Sequence, residues 1–256
     1  MSDWNPRQYL RFEKERTQPA TDLINRIECL SVTNIIDIGC GPGNSTNLLQ
    51  QRYMHADILG IDNSQNMIEA ARSKYPSLKF QCLDAQTELV LLKEKYDIVF
   101  SNACIQWIPN HQKLLPELYS LVKKGGVLAV QTPMNFNEPI HNIIKEVAHK
   151  KEWKQFFQYE RTVYNLKEEE YFDILGDLTD DFEMWKITYF YHMNNYNDIV
   201  DYCRTTGLRP YMDQLPEDKK KIFEDEIVEG VKRAYTKQHN GQIISKCPRL
   251  FFVARK

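Results

Sequence analysis

A glycine-rich turn between a β-branched run and a helical stretch constrains this chain more than any other segment. Three of the ten glycines in 256 residues fall within five positions, at Gly39, Gly41 and Gly43. A glycine turn at a helix N-terminus lets backbone N–H groups and the helix dipole face a polar ligand at close range. The spacing D-x-G-x-G-x-G differs from the dinucleotide fingerprint and from the P-loop. The turn therefore predicts a nucleotide-like cofactor site, with tight strand–helix packing as the alternative.

The segments around this turn alternate between strand and helix patterns. Apolar, β-branched runs occur at 34–38, 57–61, 78–82, 96–100 and 126–131, and helical patterns separate most of them. This alternation predicts βαβ crossovers and a mostly parallel sheet with helices on both faces. Further on, the pattern predicts a long strand at 182–193 and a last strand at 249–254.

The composition predicts one globular domain with inserted helical segments. The chain is 42% hydrophobic and 27% charged, and its length allows one sizeable core. We expect a single domain over 1–256, with a core at about 20–134, 166–194 and 247–256. A helical cap over the active site is expected from about 1–19, 135–165 and 195–246.

Charge and cysteine usage point to a small-molecule partner. The formal net charge of −2 lacks the basic excess that nucleic acid or an anionic membrane surface requires. The start of the chain has no basic segment followed by an apolar stretch, and no apolar run approaches the roughly 18 residues of a membrane span. The six cysteines are far apart in the sequence, and their spacing is not that of a zinc site. We expect a cytoplasmic protein with reduced thiols, no metal, and a monomeric or weakly dimeric state.

Acidic residues follow the next two strands. Asp62 ends its strand 19 residues beyond Gly43, where an open α/β sheet places a carboxylate for the ribose hydroxyls of an adenosine. Asp84 and Ala85 follow the third strand and offer a carboxylate and an N–H to an adenine edge. Met67 could pack on the adenine face. A capping role for Asp84 and a core role for Met67 are the alternatives.

These segments together resemble the ordered motif series of class I S-adenosylmethionine (SAM) methyltransferases. The resemblance covers about residues 34–132 and is carried by IIDIGCGPG at 35–43, GIDNS at 60–64, LDA at 83–85 and YDIVFSN at 96–102. It implies a Rossmann-like sheet of seven strands with the last one antiparallel, and SAM as cofactor. The cofactor residues that it implies are Gly39, Gly41, Asp62, Asn63, Ser64, Met67, Asp84, Ala85 and Asn102.

The segment after the fourth strand bears on the methyl acceptor. It reads ACIQW at 103–107, without the N/D-P-P-Y/F signature of many amine and adenine methyltransferases. Cys104 is interpreted as a small buried thiol, not as a nucleophile.

Over its full length the chain also resembles bacterial carboxyl O-methyltransferases that act on a small tricarboxylate. The matching segments include SDWNP at 2–6, CGPGNST at 40–46, TGLRP at 206–210 and NGQI at 240–243. The resemblance implies a monomethyl ester product and trans-aconitate as the expected acceptor. A methyltransferase for carrier-bound malonate or lipid-like acids, and a SAM-binding protein without turnover, remain the alternatives.

A small anionic carboxylate substrate calls for cationic and polar side chains, not for a catalytic base. The acid is already ionised at neutral pH, so catalysis can rest on proximity and alignment, and we assign no catalytic residue. Arg209 and Arg249 are the first candidates to hold the anion, since a guanidinium suits bidentate carboxylate binding. Further candidates for the acceptor site are Gln106, Trp107 and Tyr211.

The N-terminal segment allows two interpretations. Trp4 and Tyr9 lie in an otherwise polar stretch, and Tyr9 shares a helical face with Phe12 and Arg16. The segment could be an amphipathic helix packed on the sheet. It could also be a flap that closes over SAM and faces the sulfonium with an aromatic ring, which makes Trp4 and Tyr9 candidate cofactor residues.

Overall fold

The computed structural model describes residues 12–29, 31–160, 162–204 and 206–256. The strands are β1 (Asn34–Ile38), β2 (Asp57–Asp62), β3 (Lys79–Cys82), β4 (Tyr96–Asn102), β5 (Val122–Pro133), β6 (Phe182–Met193) and β7 (Ile243–Arg255). The helices are α1 (Glu13–Arg26), α2 (Asn44–Arg52), α3 (Gln65–Lys74), α4 (His111–Ser120), α5 (Pro139–Ala148), α6 (Lys151–Lys154), α7 (Glu168–Leu178), α8 (Tyr196–Arg204), α9 (Arg209–Met212) and α10 (Glu217–Ala234). Two 3-10 turns lie at Leu89–Leu91 and Ile105–Trp107.

The strands form one seven-stranded sheet in the order β3-β2-β1-β4-β5-β7-β6. β1 pairs in parallel with β2 and β4, and the parallel pairing continues to β3 and β5. β7 is antiparallel to β5, with Pro133 opposite Arg249. The order reverses at β1, so the loops after β1 and β4 flank the crevice in which open α/β sheets bind ligands. The predicted fold class, with its antiparallel last strand, is confirmed.

Helices cover both faces of the sheet because its central strands are apolar on both sides. Ile35, Ile36 and Ile38 of β1 are fully buried. Phe251 and Phe252 are neighbours on β7, so their side chains lie on opposite faces. Phe252 contacts Tyr171 of α7, with ring centroids 5.9 Å apart. Phe251 stacks on Trp185 of β6 on the other face, at 5.3 Å.

The chain forms two compact units. One comprises residues 12–133 with Val163–Ile187 and Arg249–Lys256, and it contains most of the sheet. The other comprises Met134–Thr162 and Thr188–Pro248. We call the first the sheet unit and the second the helical unit. The function of the helical segments as a cap stays a prediction.

The helical unit has an aromatic core of its own. Phe223 of α10 contacts the ring of Trp153 at 5.0 Å and that of Phe157 at 5.4 Å. Tyr211 packs edge-on against Phe157 at 5.0 Å. No helix among the described residues is long and apolar enough to cross a membrane.

Candidate functional site: the carboxyl edge of the sheet

The loop after β1 is fixed to the end of β2. The N–H groups of Gly39 and Cys40 both donate to the carbonyl of Ile61, at 2.8 and 2.9 Å. Gly39 has φ +73°, and a β-carbon there would overlap the side chain of Cys104. Gly41 has φ +54°, but no described atom lies within 4 Å of where its β-carbon would be. Gly39 is therefore needed for packing, whereas Gly41 faces open space.

Asp62 anchors this loop through its carboxylate. Oδ2 accepts a hydrogen bond from the N–H of Gly41 at 3.0 Å, and Oδ1 accepts one from the N–H of Ser64 at 2.9 Å. Ser64 is the N-cap of α3, where its Oγ accepts from the N–H of Met67 at 3.2 Å. A carboxylate oxygen can accept more than one hydrogen bond, so this carboxylate is chemically suited to bind a diol as well.

The loop after β3 holds the third predicted carboxylate. Oδ1 of Asp84 accepts from the N–H of Gln86 at 2.8 Å, and the N–H of Asp84 donates to Glu88 at 2.7 Å. Asp84 thus closes the turn after β3 and caps no helix, since the next 3-10 turn begins at Leu89 with Glu88 as its N-cap. Its Oδ2 accepts no hydrogen bond from a described residue. Met67 is 3% exposed and Ala85 is 8% exposed. Contacts of these residues with an adenine ring stay predictions.

The loop after β4 contains a residue in a strained conformation. Ala103 has φ +53°, which is uncommon for a residue other than glycine and clusters at functional sites. Its N–H donates to the carbonyl of Gln131 at 2.9 Å, and its carbonyl accepts from Nε2 of Gln106 at 2.7 Å. The carbonyl of Gln106 accepts from the N–H of Tyr164 at 3.0 Å. The amide of Gln106 therefore braces the loop from within, and the side chain is 2% exposed.

Asn102 precedes that strained residue at the end of β4. Its Oδ1 is buried, and it finds no hydrogen-bond partner within the described part of the chain. A buried acceptor without a partner costs about 1–3 kcal/mol, so its presence calls for an explanation. A polar ligand at this edge of the sheet would supply one.

Asp37 is fully buried beneath the glycine loop. Its Oδ2 accepts hydrogen bonds from the hydroxyls of Ser45 and Thr46 in α2, each at 2.7 Å. Burial raises the pKa of the Asp37 carboxyl from its usual 3.8 to about 6, and the nearby charge of Asp62 adds to the rise. The hydroxyl hydrogen bonds oppose the shift but do not cancel it. The charged carboxylate is thus less favourable at this position than in water.

We expect Asp37→Asn to change how stability depends on pH. A pKa raised in the folded state contributes stability that is fully present below the unfolded value of 3.8 and is lost as the pH rises through about 6. The rise corresponds to about 3 kcal/mol. Urea unfolding between pH 4 and 8 should show the free energy of unfolding of the wild type falling by about that amount relative to Asp37→Asn. Parallel curves for the two proteins would show that Asp37 does not titrate as the structure indicates.

Comparisons with known proteins identify the family. A family model described as a methyltransferase domain matches residues 30–197. A trans-aconitate 2-methyltransferase of Enterobacter sp. (strain 638) is 41% identical over 262 residues, with 100% of this chain and 99% of the relative covered. Relatives of the same name from Shigella flexneri and Escherichia coli are 41% identical over 256 residues, with the same coverage. The chain belongs to the trans-aconitate 2-methyltransferase family.

Solved structures with a similar fold are more distant in sequence. The YcgJ protein from Bacillus subtilis has a TM-score of 0.58 at 16% identity, covering 93% of this chain and 99% of that one. Phosphoethanolamine N-methyltransferase 2 of Haemonchus contortus, in complex with SAM, has a TM-score of 0.54 at 18% identity, covering 93% of this chain and 52% of that one. These likenesses support the fold alone. Membership in the trans-aconitate 2-methyltransferase family confirms the predicted enzyme class, a SAM-dependent methyltransferase.

The residues at the carboxyl edge fit the SAM that this family uses. The open space before Gly41 admits a ligand against the main chain, and Oδ1 of Asn102 lacks a donor among the described residues. The sheet unit brings most of the predicted cofactor residues to the ends of β1 to β4. These are Gly39, Gly41, Asp62, Asn63, Ser64, Met67, Asp84, Ala85 and Asn102. Trp4 and Tyr9 lie outside the described residues.

The predicted acceptor residues are divided between the two units. Gln106 and Trp107 follow β4, and Arg249 lies on β7 opposite Pro133, all in the sheet unit. Arg209 and Tyr211 belong to the helical unit. There Nε of Arg209 lies 3.4 Å from the carboxylate of Asp213. The contacts of all five residues with an acceptor stay predictions.

Sequence reasoning missed one residue at this edge. Gln131 lies in β5 with no exposed surface, at the end of the otherwise apolar run 127–130. An amide in a buried strand is unusual, and that contrast is the signal that could have drawn attention to it.

Proposed function

We propose that this chain transfers a methyl group from SAM to one carboxylate of a small polycarboxylic acid, with trans-aconitate as the acceptor and a monomethyl ester as the product. The observation that carries the proposal is the 41% identity over the full length to enzymes named trans-aconitate 2-methyltransferase. The match extends through the helical unit as well as the sheet unit, so it covers more than the motifs shared by the wider class.

The cofactor would be held by the loops at the carboxyl edge. Gly41 and Asn102 would contact its amino-acid portion, and Asp62 would accept hydrogen bonds from the ribose hydroxyls. Asp84 and Ala85 would hold the adenine edge, with Met67 against the ring face. When bound, SAM supplies an electrophilic methyl group on a sulfonium. The hydrogen bonds of Asp62 to Gly41 and Ser64 support this assignment, because they fix the carboxylate before any ligand arrives.

Catalysis in this proposal needs no general base. A carboxylic acid is ionised at neutral pH, so no side chain has to remove a proton from the acceptor. His111, a buried histidine of the sheet unit, has both ring nitrogens in hydrogen bonds, with Tyr171 at 2.7 Å and the carbonyl of Ile105 at 2.9 Å. Burial raises the pKa of Cys104 far above that of a free thiol, which argues against a thiolate nucleophile. The chain's task is then to align the acceptor and exclude water.

Arg249 is the acceptor-binding residue that we favour in the sheet unit. It is 6% exposed, and a guanidinium shielded from water binds a carboxylate more strongly than an exposed one. Trp107 follows the braced loop after β4 and would form an apolar wall, while Gln106 would set the position of that loop. Arg209 and Tyr211 remain candidates on the evidence of the sequence.

An acid panel tests this proposal. Purified protein is mixed with SAM and one of trans-aconitate, cis-aconitate, citrate or isocitrate, and release of S-adenosylhomocysteine is measured. We expect the kcat/KM for trans-aconitate to exceed that of each other acid by at least tenfold. SAM binding without turnover on any of the four acids would contradict the proposal and leave a larger carboxylate, or a SAM-binding protein without turnover, as the function.

A further inference from the structure

We propose that Gln131 binds a non-reacting carboxylate of the acceptor, as a specificity-determining residue next to Arg249. The inference rests on the proposed function, because it assumes an anionic acceptor at the carboxyl edge of the sheet. Gln131 has no exposed surface, and neither Oε1 nor Nε2 finds a hydrogen-bond partner in the described ranges. Both atoms of one buried amide are therefore unsatisfied.

The strand register places this amide in a row of polar side chains. Gln131 of β5 is the direct partner of Asn102 of β4, so their side chains lie on the same face of the sheet. Oδ1 of Asn102 is likewise buried without a partner among the described residues. Each side-chain amide has a donor and an acceptor, yet the two do not hydrogen-bond to each other in the described part of the chain. Oδ1 of Asn102 and both polar atoms of the Gln131 side chain therefore have no partner among the described residues.

The other neighbour of Gln131 explains why the protein itself offers no partner on that side. On β7 the residue opposite Gln131 is Phe251, whose ring stacks on Trp185 at 5.3 Å. The Phe251 ring has no hydrogen-bonding group, and no described residue, Trp185 included, hydrogen-bonds to the side-chain amide of Gln131. Two positions along the strands, and therefore on the same face as Gln131, Pro133 pairs with Arg249. Diagonal neighbours in an antiparallel pair have Cα atoms roughly 7–8 Å apart, within reach of an arginine side chain.

The position of Gln131 separates it from the cofactor loops. The glycine loop follows β1, Asn102 ends β4, and Gln131 lies one strand further from β1. A ligand that contacts both Gln131 and Arg249 thus lies on the side of β4 away from the glycine loop. An amide N–H and a guanidinium suit an ionised carboxylate, and the amide oxygen can accept from a cationic neighbour. A polycarboxylic acid has spare carboxylates for this pair, whereas an apolar acid does not.

The proposal is consistent with the cost of burying an unsatisfied amide. Replacing such a group by an apolar one of similar shape is close to neutral or stabilising, whereas replacing a satisfied amide is destabilising. Gln131→Met keeps the length of the side chain and removes both polar atoms. The variant therefore separates a ligand-binding role, which costs affinity but no stability, from a structural role, which costs stability.

The experiment compares wild type, Gln131→Met and the control Gln81→Met, which makes the same change at an exposed position on β3. KM and kcat for trans-aconitate, the Kd for SAM and the Tm of the ligand-free protein are measured. We expect Gln131→Met to raise the KM for trans-aconitate at least tenfold, with the Kd for SAM within threefold of wild type and an equal or higher Tm. Gln81→Met should match wild type throughout.

Three results would overturn the inference. An unchanged KM with a lower Tm would show that the amide is satisfied structurally, for example by an internal water molecule. An unchanged KM with an unchanged Tm would show that it binds no acceptor. A Kd for SAM that rises as much as the KM would assign Gln131 to the cofactor. If wild type itself does not methylate trans-aconitate, the proposed function fails together with this inference, whereas an active wild type with an unaffected variant rejects the inference alone.

Discussion

Gly39→Ala is expected to destabilise the protein severely, and Gly41→Ala is expected to leave it folded. The β-carbon at 39 would overlap the side chain of Cys104, and φ at that position is +73°. Overpacking costs about 1–3 kcal/mol and a left-handed backbone about 1–2 kcal/mol for a residue with a β-carbon. Together these lower the free energy of unfolding by about 4 kcal/mol, or roughly 10 °C in Tm for a chain of this size. Thermal and urea unfolding would measure the loss.

Gly41→Ala is the matched control, since the same residue type changes two positions away. No described atom lies within 4 Å of that β-carbon, so only the backbone cost of about 1 kcal/mol applies. The added methyl group projects into the open space where the cofactor would approach, so SAM affinity should fall while the fold survives. Equal losses of stability in the two variants would contradict the assignment of Gly39 to packing and Gly41 to the ligand.

The second large effect is expected at Asp62. Asp62→Ala removes a carboxylate that accepts from Gly41 and Ser64 and is proposed to hold the ribose. Hydrogen bonds to a charged group contribute about 1.5–3 kcal/mol, so the Kd for SAM should rise by about 10- to 150-fold. Titration calorimetry with SAM and with S-adenosylhomocysteine would measure it. The substitution also removes the acceptor of the Gly41 and Ser64 N–H groups, which loosens the loop. We therefore expect a rise in Kd in the upper part of this range.

The control for this prediction lies on the same strand. Asp57 begins β2, and its carboxylate forms an exposed ion pair with Lys79 at 2.5 Å. Exposed pairs contribute little to stability, so Asp57→Ala should leave the Kd for SAM unchanged. A change of less than threefold in the Asp62→Ala variant would place the ribose elsewhere.

The sequence predicted β1 to β4 well because these strands are short and bounded by clear turn residues, whereas β7 begins at Ile243, six residues before the predicted 249. β1, β2 and β3 lie within a residue of the predicted bounds, and β6 spans the predicted 182–193. β5 starts at Val122, four residues before the predicted 126, because Tyr96 of β4 pairs with Val122 ahead of a register shift. This extension of β5 depends on its pairing with another strand. The local sequence therefore has no pattern that predicts it.

The candidate site was only partly predictable for a similar reason. Spacing along the chain located Gly41, Asp62 and Asp84, since each follows a predicted strand at the same edge. The left-handed conformation of Ala103 and the unsatisfied amide of Gln131 depend on neighbours from other strands. The raised pKa of Asp37 depends on the complete burial of its side chain, and the presence of an aspartate in the sequence does not indicate that burial.

The most direct test of the central claim is to follow the transferred methyl group itself. The protein is incubated with trans-aconitate and SAM that has a carbon-13-labelled methyl group, and the products are identified by NMR and mass spectrometry. We predict one labelled O-methyl ester for each S-adenosylhomocysteine formed, on a single carboxylate of the acid. Label that stays on SAM, or that arrives on carbon, nitrogen, sulfur or a second carboxylate, would contradict the account.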